Sequence, residues 1–445
     1  MRTAWLGLCT LAWLVLSASA GAQTVSVLEV RGAIGPATTA YLERGLAEAG
    51  AARHEAVILE IDTPGGLVTA TRDIVSAILD APVPVIGYVA PEGARAASAG
   101  VYIMMATHVA AMASATNIGA ATPVQMGGDS PLPGTPSEEE EEGEDRPAPA
   151  DAGTTKAVND AVAWLKALAE KRGRDTGWAD RAVREAASVS ASEALDQGIV
   201  ELLADSRRAL LAAVDGRTVE VPGRAFTLRT AEADVVVIEP NWQERVLAVL
   251  ANPNIAFLLM LVGIYGIIFE FANPGTIFSG VIGGIALLLG LFALNLLPID
   301  YVGAGLILFG IALMIAEAFA PSFGILGIGG AVAFVLGSVM LIDTEVPAFT
   351  LSPWVIGIST VATAGLMIGV LTMALRAHRR ATVTGREGLI GQAGRVVRWE
   401  DGHGIVHVAG ENWRAHGPAD LAPERPVVVA AVDDLVLTVN AKPET

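Results

Sequence analysis

The segment AVILEIDTPGG at residues 56–66 joins a strand-like run to a turn that contains two glycines. Its apolar, β-branched character is typical of a strand in a parallel sheet that is covered on both faces. The strand-like stretches VSVLEV (25–30) and PVIGYV (84–89) flank it, and the helical stretches YLERGLAEAG (41–50) and TATRDIVSAILDA (69–81) separate the three strands. This alternation predicts an α/β fold with a largely parallel sheet and helices on its faces.

Ligands of such sheets bind at the carboxyl ends of the strands, and this sequence places two short stretches there. The first is IDTPGG (61–66), in which Gly65 and Gly66 can present backbone N–H groups to a developing negative charge. Taken alone, the glycines also fit an ordinary strand-to-helix turn that needs a positive φ.

The second stretch is GARAASAGVYI (93–103), in which Ser98 stands just before a short apolar helix. A serine at such a junction can act as a nucleophile, with the backbone N–H of Ala99 directed at the oxyanion. It can equally be a plain N-cap, a position that serine fills well. The local pattern leaves both interpretations open.

A serine nucleophile needs a general base, and the α/β segment has two histidines that are poorly placed for this role. His54 lies at the amino end of its strand, away from the expected site. His108 ends the helix that Ser98 begins, about 15 Å away by helical rise. We therefore expect neither histidine to serve as the base.

Lysine is the alternative base, and the α/β segment contains Lys156, Lys166 and Lys171. Lys166 and Lys171 fall off the apolar stripe of the predicted helix and are expected to face water. Lys156 stands at the start of that helix, where the positive helix end favours a neutral amine that can accept the proton of a serine. An exposed lysine beside a loop fits the same pattern.

The whole chain is 52% hydrophobic with a mean hydropathy of +0.51, which indicates a membrane part joined to water-soluble parts. Residues 1–22 have the pattern of a secretory signal peptide, with Arg2, an apolar run and small residues at the end. The only cysteine, Cys9, lies in this segment, so we expect no disulfide and no cysteine-based site in the mature chain. The net charge of −18 argues against a nucleic-acid partner.

Residues 23–230 are assigned to the α/β domain, which carries an acidic insert at 127–153. The insert contains the glutamate run 138–142 among proline, glycine and serine, and it cannot bury apolar area, so it is predicted to be disordered. Because the insert directly precedes Lys156, we expect that lysine to become ordered only when a substrate or a neighbouring subunit arrives.

Residues 250–376 are assigned to a membrane domain, because the chain has no lysine or arginine between Arg245 and Arg376. The basic residues from Arg376 onward predict a cytoplasmic C-terminus, and hence a multi-pass protein of the cell membrane with its α/β domain outside the cytoplasm. The weak repeat of residues 274–290 at 321–337 can mark a transporter, in which Glu317 would matter. However, Glu270, Asp300 and Glu317 all lie at or near the ends of the predicted spans, which does not support a buried ion relay. Five apolar stretches are each about long enough to cross a bilayer: 255–271, 277–297, 302–319, 325–342 and 353–375.

Residues 384–445 have short alternating strands, glycine turns and no long helix, which predicts a five-stranded OB-like β-barrel. Its histidines and tryptophans are interleaved with acidic residues and form no basic groove for nucleic acid. The spacing of the histidines does not suggest a metal site.

Four motifs occur in an order that resembles the Clp-like membrane serine peptidases of the NfeD family. They are IDTPGG (61–66), AASAGVYI (96–103), NIGAATP (117–123) and SASEALDQGIV (190–200), and a lysine precedes the helix between the last two. The resemblance extends over the membrane block and the C-terminal module. It implies a Clp/crotonase-like protease domain followed by a multi-span membrane domain and an OB-fold domain.

The same resemblance implies a serine endopeptidase in which Ser98 is the nucleophile and Lys156 the general base. The loop with Gly65 and Gly66 would form the oxyanion site together with the amide of Ala99. The resemblance further implies an apolar peptide substrate, a stomatin-like membrane partner, a homo-oligomer formed through the protease domain, and no cofactor or metal. A non-proteolytic scaffold that organises a stomatin-like partner is the competing hypothesis.

Overall fold

The computed structural model describes residues 23–123, 150–272, 277–320, 322–342, 349–378 and 386–442. By their internal contacts, the residues fall into two units: one contains residues up to 313 together with 328–361, and the other contains 314–327 and the chain from 362 onward. The predicted signal peptide and positions 127–149 of the predicted insert lie outside the described residues.

The α/β part of the first unit alternates strands and helices as the sequence predicts, because apolar strand runs are followed by amphipathic helical stretches. Its strands are β1 (Thr24–Arg31), β2 (Ala56–Asp62), β3 (Val85–Val89), β4 (Arg95–Ala97), β5 (Val109–Met112), β6 (Asn117–Gly119), β7 (Ser188–Ser190), β8 (Leu202–Leu203), β9 (Thr218–Val221), β10 (Arg224–Thr227) and β11 (Asp234–Val237). Its helices are α1 (Pro36–Ala51), α2 (Val68–Leu79), α3 (Ala99–Ala106), α4 (Ala150–Arg172), α5 (Thr176–Arg184), α6 (Ala191–Asp196), α7 (Arg207–Val214) and α8 (Trp242–Leu250).

A six-stranded parallel sheet in the order β11-β1-β2-β3-β5-β8 forms the centre of this domain. Every residue of β3 and all but the last of β2 are buried, which explains their near-continuous apolar sequence. A smaller sheet in the order β4-β6-β7 carries the chain into α3, so that β4 and α3 meet beside the carboxyl end of β2.

Helix α4 follows the predicted stripe. The stripe predicted from helical spacing comprises Val158, Ala161, Val162, Leu165, Leu168 and Ala169; the last five are buried, and Val158 is half-buried. The helix starts at Ala150, so positions 150–153, which the sequence assigned to the insert, belong to its first turn.

A buried arginine caps the C-terminal end of α3. Arg174 donates hydrogen bonds to the carbonyl oxygens of Met104 (2.7 Å) and Thr107 (3.1 Å), and its Nε pairs with Glu201 at 2.7 Å. His108 follows this end, is also buried, and accepts the backbone N–H of Val85 at Nδ1 (3.1 Å). Burial lowers the pKa of His108 to about 3, so His108 is neutral at neutral pH.

In the described part of the membrane block, five apolar helices coincide with the five predicted stretches: α9 (Pro253–Ala272), α10 (Phe278–Asn295), α11 (Tyr301–Phe319), α12 (Ile325–Met340) and α13 (Pro353–His378). Two helical segments, Pro253–Phe271 and Phe278–Asn295, are long and apolar enough to cross a membrane, each with a hydropathy of 2.0. The apolar parts of the other three helices are shorter. The number of crossings therefore stays a prediction.

In both copies of the weak sequence repeat, a glutamate at the end of one helix is hydrogen-bonded to the start of the next helix. Glu270 near the end of α9 accepts a hydrogen bond from Ser279 Oγ (2.7 Å) in the first turn of α10. Glu317 near the end of α11 accepts from Ser322 Oγ (2.6 Å), which lies just before α12. Each carboxylate thus stabilises the start of the next helix, which favours a structural role for Glu317 over the transport role.

The second unit contains a closed barrel in the order β12-β13-β14-β16-β15. Apolar side chains from all five strands fill its interior, with Val406, Val427 and Leu437 fully buried. The strands are β12 (Ala393–Glu400), β13 (His403–Val408), β14 (Glu411–His416), β15 (Pro426–Asp433) and β16 (Val436–Ala441).

The neutral, buried His108 makes stability depend on pH. In the unfolded chain a histidine binds a proton below about pH 6.5, whereas the folded chain does so only below about pH 3. Stability is therefore lost as the pH falls through this window, by at most about 1.4 kcal/mol per pH unit from this group. We expect His108→Gln, which keeps an acceptor for the Val85 N–H, to show a flatter decrease in Tm between pH 6 and 4 than the wild type. Equal slopes in the two proteins would contradict the assignment.

Candidate active site

The turn after β2 is fixed by backbone hydrogen bonds on both of its sides. Thr63 pairs with β4 through two such bonds of 2.8 and 3.1 Å. Ile34 donates to the carbonyl of Gly65 and accepts from the N–H of Leu67, both at 2.9 Å. Because Ile34 and Gly66 form a parallel bridge, these two bonds use the neighbours of Gly66 and not Gly66 itself.

Two glycines are required in this turn for different steric reasons. Gly65 has a φ of +123°, and a Cβ atom there would lie 2.7 Å from the Cβ of Ser98. A Cβ atom at Gly66 would lie 2.1 Å from the carbonyl oxygen of Ile34. The N–H of Gly65 is already bound to Thr63 Oγ1 (3.1 Å), whereas the N–H of Gly66 donates to no described residue. Of the two predicted glycines, Gly66 therefore has the available donor.

Ser98 occupies a strained position between β4 and α3. Its φ of 49° and ψ of −110° lie outside the regions that side-chain-bearing residues normally adopt. Its backbone N–H donates to the carbonyl oxygens of Ala120 (3.0 Å) and Gly119 (3.3 Å), which holds it in this conformation. Strain of this kind is characteristic of a serine at a sharp strand-to-helix turn, whose hydroxyl is presented outward.

The hydroxyl of Ser98 does not cap α3, although Ser98 stands at the N-cap position. Its side chain makes no capping hydrogen bond, and the N–H of Ala99 donates to no described residue. The simpler interpretation of this serine, as a helix cap, is therefore wrong. Among the described residues, the N–H groups of Gly66 and Ala99 therefore have no acceptor, and both belong to residues that adjoin the Gly65–Ser98 contact.

Helix α4, which bears Lys156, packs along α3 in the same direction. The ring of Trp164 stacks on Tyr102 with centroids 4.4 Å apart, and farther along both helices Arg172 Nε donates to the carbonyl of Ala106 (2.9 Å). From the first of these contacts to the second, the position moves toward the C-terminal end of both helices. The start of α4 therefore lies toward the end of α3 that carries the serine.

Lys156 itself is exposed near the start of α4. By helical rise it lies about 12 Å before Trp164, while Ser98 lies about 6 Å before Tyr102. The structure thus places Lys156 at the serine end of the helix pair, but in contact with solvent. Lys171 is also exposed and Lys166 is half-buried, and both follow Lys156 along α4 and so lie farther from the serine end.

An arginine that the sequence did not single out joins α2 to α4. Arg72 of α2 pairs with Asp160 of α4 at 2.6 Å, and its guanidinium lies 4.4 Å from the ring centroid of Trp164. The other face of Trp164 is stacked on Tyr102, whose hydroxyl donates to Ala121 O (3.2 Å) and whose pKa is raised by burial. The sequence gives one sign of this contact, a tryptophan beside the apolar stripe of α4, and that sign does not identify Arg72 as its partner.

The histidines lie away from this site. His54 Nδ1 is hydrogen-bonded to Ser26 Oγ at the amino ends of β1 and β2, and His108 is buried beyond the C-terminal end of α3. Within the described ranges, no group of three or more histidine, cysteine or acidic residues is arranged to hold a metal ion.

Three family models match the chain. They are the NfeD1b N-terminal domain at residues 24–132, the NfeD integral membrane domain at 254–373 and the NfeD-like C-terminal, partner-binding domain at 386–440. Membrane-bound protease PH1510 of Pyrococcus horikoshii is 31% identical over 418 residues, which are 92% of this chain and 91% of that protein. Membrane protein NfeD1b of Bacillus subtilis is 29% identical over 352 residues, or 75% of this chain and 71% of that protein.

A solved structure also matches the α/β part. It is a lysine-to-alanine mutant of the 1510-N membrane-bound stomatin-specific protease in complex with a substrate peptide. It is 31% identical in sequence, and the match covers 51% of this chain and 97% of that chain with a TM-score of 0.44.

The strain at Ser98 predicts an unusual order of stability among its variants. Glycine adopts a positive φ without steric cost, so Ser98→Gly should be more stable than Ser98→Ala by about 1 kcal/mol. Ser192, an exposed residue inside α6, is the matched control, because there glycine should be the less stable substitution. Tm measurements on the four variants check this, and an alanine variant at 98 as stable as the glycine variant would contradict the strained geometry.

Removing Arg72 should loosen α4. Its exposed ion pair and its cation–π contact together contribute about 1 kcal/mol, so Arg72→Ala should lower Tm slightly and speed amide exchange in α4. Hydrogen–deuterium exchange followed by mass spectrometry of the peptides from 155–172 measures this directly. Arg208→Ala, an exposed substitution in α7, is the control; equal protection of α4 in both variants would show that Arg72 does not fasten it.

Proposed function

Since the chain belongs to the NfeD family, we propose that it is a membrane-anchored serine endopeptidase with Ser98 as nucleophile and Lys156 as general base. The observation that carries the proposal is the strained Ser98, whose hydroxyl does not cap α3, together with the N–H groups of Gly66 and Ala99, which have no acceptor among the described residues. The relative from Pyrococcus horikoshii, which matches nearly the whole chain, is a membrane-bound protease. Both observations support peptide hydrolysis over the scaffold hypothesis.

In the proposed reaction, the Ser98 Oγ adds to the carbonyl carbon of a peptide bond and its proton passes to the Lys156 Nζ. The carbonyl oxygen becomes an oxyanion that accepts hydrogen bonds from the N–H groups of Gly66 and Ala99. The C–N bond then breaks, and the leaving amine takes the proton from Lys156. Water, deprotonated by Lys156, attacks the resulting ester, and Ser98 is regenerated together with the carboxylic acid product.

Lys156 must be neutral and close to Ser98 to act as a base, which requires that water be excluded around it. Lys156 is exposed in the single chain, which fits a site that a second molecule completes. We propose that the bound substrate, or a neighbouring copy of the α/β domain, covers Lys156 and brings its amine to the serine. The direction in which α4 packs along α3, with its start toward the serine end, supports this arrangement.

The fold supports the finer structural assignments. A central parallel sheet with a small second sheet beside the nucleophile helix fits a Clp-like domain, and the closed five-stranded barrel fits an OB fold. We propose that the barrel binds a stomatin-like membrane protein, since it coincides with the partner-binding family model at residues 386–440.

We further propose that all five helices α9 to α13 cross the membrane. An odd number of crossings places the α/β domain and the barrel on opposite sides, and the basic residues after α13 place the barrel in the cytoplasm. The segment 1–22 would then serve as the export signal for the α/β domain.

The proposal is tested by cleavage of apolar peptides from the C-terminus of a stomatin-like protein, with products identified by mass spectrometry. Full-length wild type, Ser98→Ala and Lys156→Ala should be compared in the same detergent, with Lys171→Ala as the control in the same helix. We expect a loss of about 10³-fold or more in kcat for the first two variants and none for the control.

Equal cleavage by all four proteins would overturn the dyad. If no form cleaves any peptide, while the Ser98→Ala chain still binds a stomatin-like protein as the wild type does, the scaffold hypothesis would replace the protease.

A further inference from the structure

Helix α8 has one face that is bound to the α/β domain. Glu244 is buried on that face, and Arg44 of α1 holds its carboxylate through two hydrogen bonds, Nε to Oε1 at 2.6 Å and Nη2 to Oε2 at 2.9 Å. The same guanidinium donates to the carbonyl of Glu239 (2.8 Å), and Tyr41 Oη donates to the carbonyl of Ile238 (2.7 Å). These contacts attach both α8 and the segment that leads into it to α1.

The rotation of α8 about its own axis is also fixed. Glu244 forms a capping box with Asn241, in which the Asn241 N–H donates to Glu244 Oε2 (2.8 Å) and the Glu244 N–H donates to Asn241 Oδ1 (3.0 Å). If α8 rotated so that Glu244 faced outward, the ion pair with Arg44 would break and the Arg44 guanidinium would lose its carboxylate partner. The face of α8 opposite to Glu244 therefore points away from the α/β domain.

That outer face is apolar. Trp242, Val246 and Val249 are 72%, 49% and 57% exposed. Their spacing of four and then three residues places them in one narrow arc of the helix. The flanking Arg245 pairs outside the arc with Glu239 at 3.0 Å. A soluble surface rarely presents a tryptophan and two valines side by side without a partner.

The position of α8 in the chain identifies that partner as lipid. Helix α8 ends at Leu250, and α9, the first apolar helix of the membrane block, begins at Pro253. Two residues cannot carry the chain far from the bilayer. In addition, Asn254 Oδ1 accepts the N–H of Ser352 (2.9 Å), so the chain enters α9 and α13 at the same level. Two helix starts therefore mark the membrane surface beside α8.

We propose that α8 lies in the membrane–water interface, with Trp242, Val246 and Val249 embedded among the lipids. Tryptophan is enriched at this depth because its ring is apolar and its N–H is polar. An amphipathic helix of this kind buries its apolar face by about 5–10 Å. Because α8 is fixed to α1, it sets the orientation of the α/β domain against the bilayer. The inference concerns placement and does not rest on catalysis.

Site-specific fluorescence tests the proposal with the full chain. Cys9 is the only cysteine of the sequence, so Cys9→Ser gives a background for single labels at Val246→Cys or Val249→Cys. Leu195→Cys, an exposed apolar position in α6, is the matched control. Helix α6 precedes β8, which lies at the opposite edge of the six-stranded sheet from β11, about 24 Å away.

Each labelled protein carries the fluorophore NBD and is reconstituted into phosphatidylcholine vesicles with or without bromine on the lipid acyl chains. Bromine quenches only a fluorophore that contacts the lipid. We expect strong quenching at 246 and 249 and none at 195. Quenching that is as weak at 246 and 249 as at 195 would overturn the proposal, and two labelled positions guard against local misfolding at one of them.

Discussion

The close contact between Gly65 and Ser98 is the constraint on which the candidate site depends. It exists because the turn after β2 is bound by backbone hydrogen bonds to β4 on one side and to Ile34 on the other. The turn can approach the serine this closely only without a side chain at position 65. The same bonding pattern leaves the N–H of Gly66 without an acceptor among the described residues, so one arrangement both positions the serine and offers a donor.

The two ends of α3 differ in their hydrogen-bond partners. At the C-terminal end, Arg174 and Arg172 donate to the last carbonyl oxygens, where positive charge stabilises a helix. At the N-terminal end, the Ser98 side chain makes no capping hydrogen bond, and the N–H of Ala99 donates to no described residue. Negative charge that develops on a bound carbonyl would therefore meet an unfilled positive helix end.

Local sequence signals predicted the α/β alternation, the glycine turn and the buried stripe of α4. These features depend on residues close in the chain. The sequence did not predict that β11 joins the edge of the central sheet beside β1, nor that Arg72 binds Asp160. Both are contacts between segments that are distant in the chain and made by common residue types. The periodicity of apolar residues within one segment does not predict them. The proposal that Lys156 is the base also depends on such a contact, because only the packing of α4 along α3 relates Lys156 to Ser98.

The central claim is that Ser98 is an activated nucleophile, and covalent labelling tests it most directly. The folded full-length protein should be treated with a fluorophosphonate, which reacts with activated serines, and the modified residue located by peptide mapping. The account predicts modification at Ser98 that disappears when the protein is denatured first and that slows in Lys156→Ala. Modification at another serine, or cleavage activity that persists without any modification at Ser98, would contradict it.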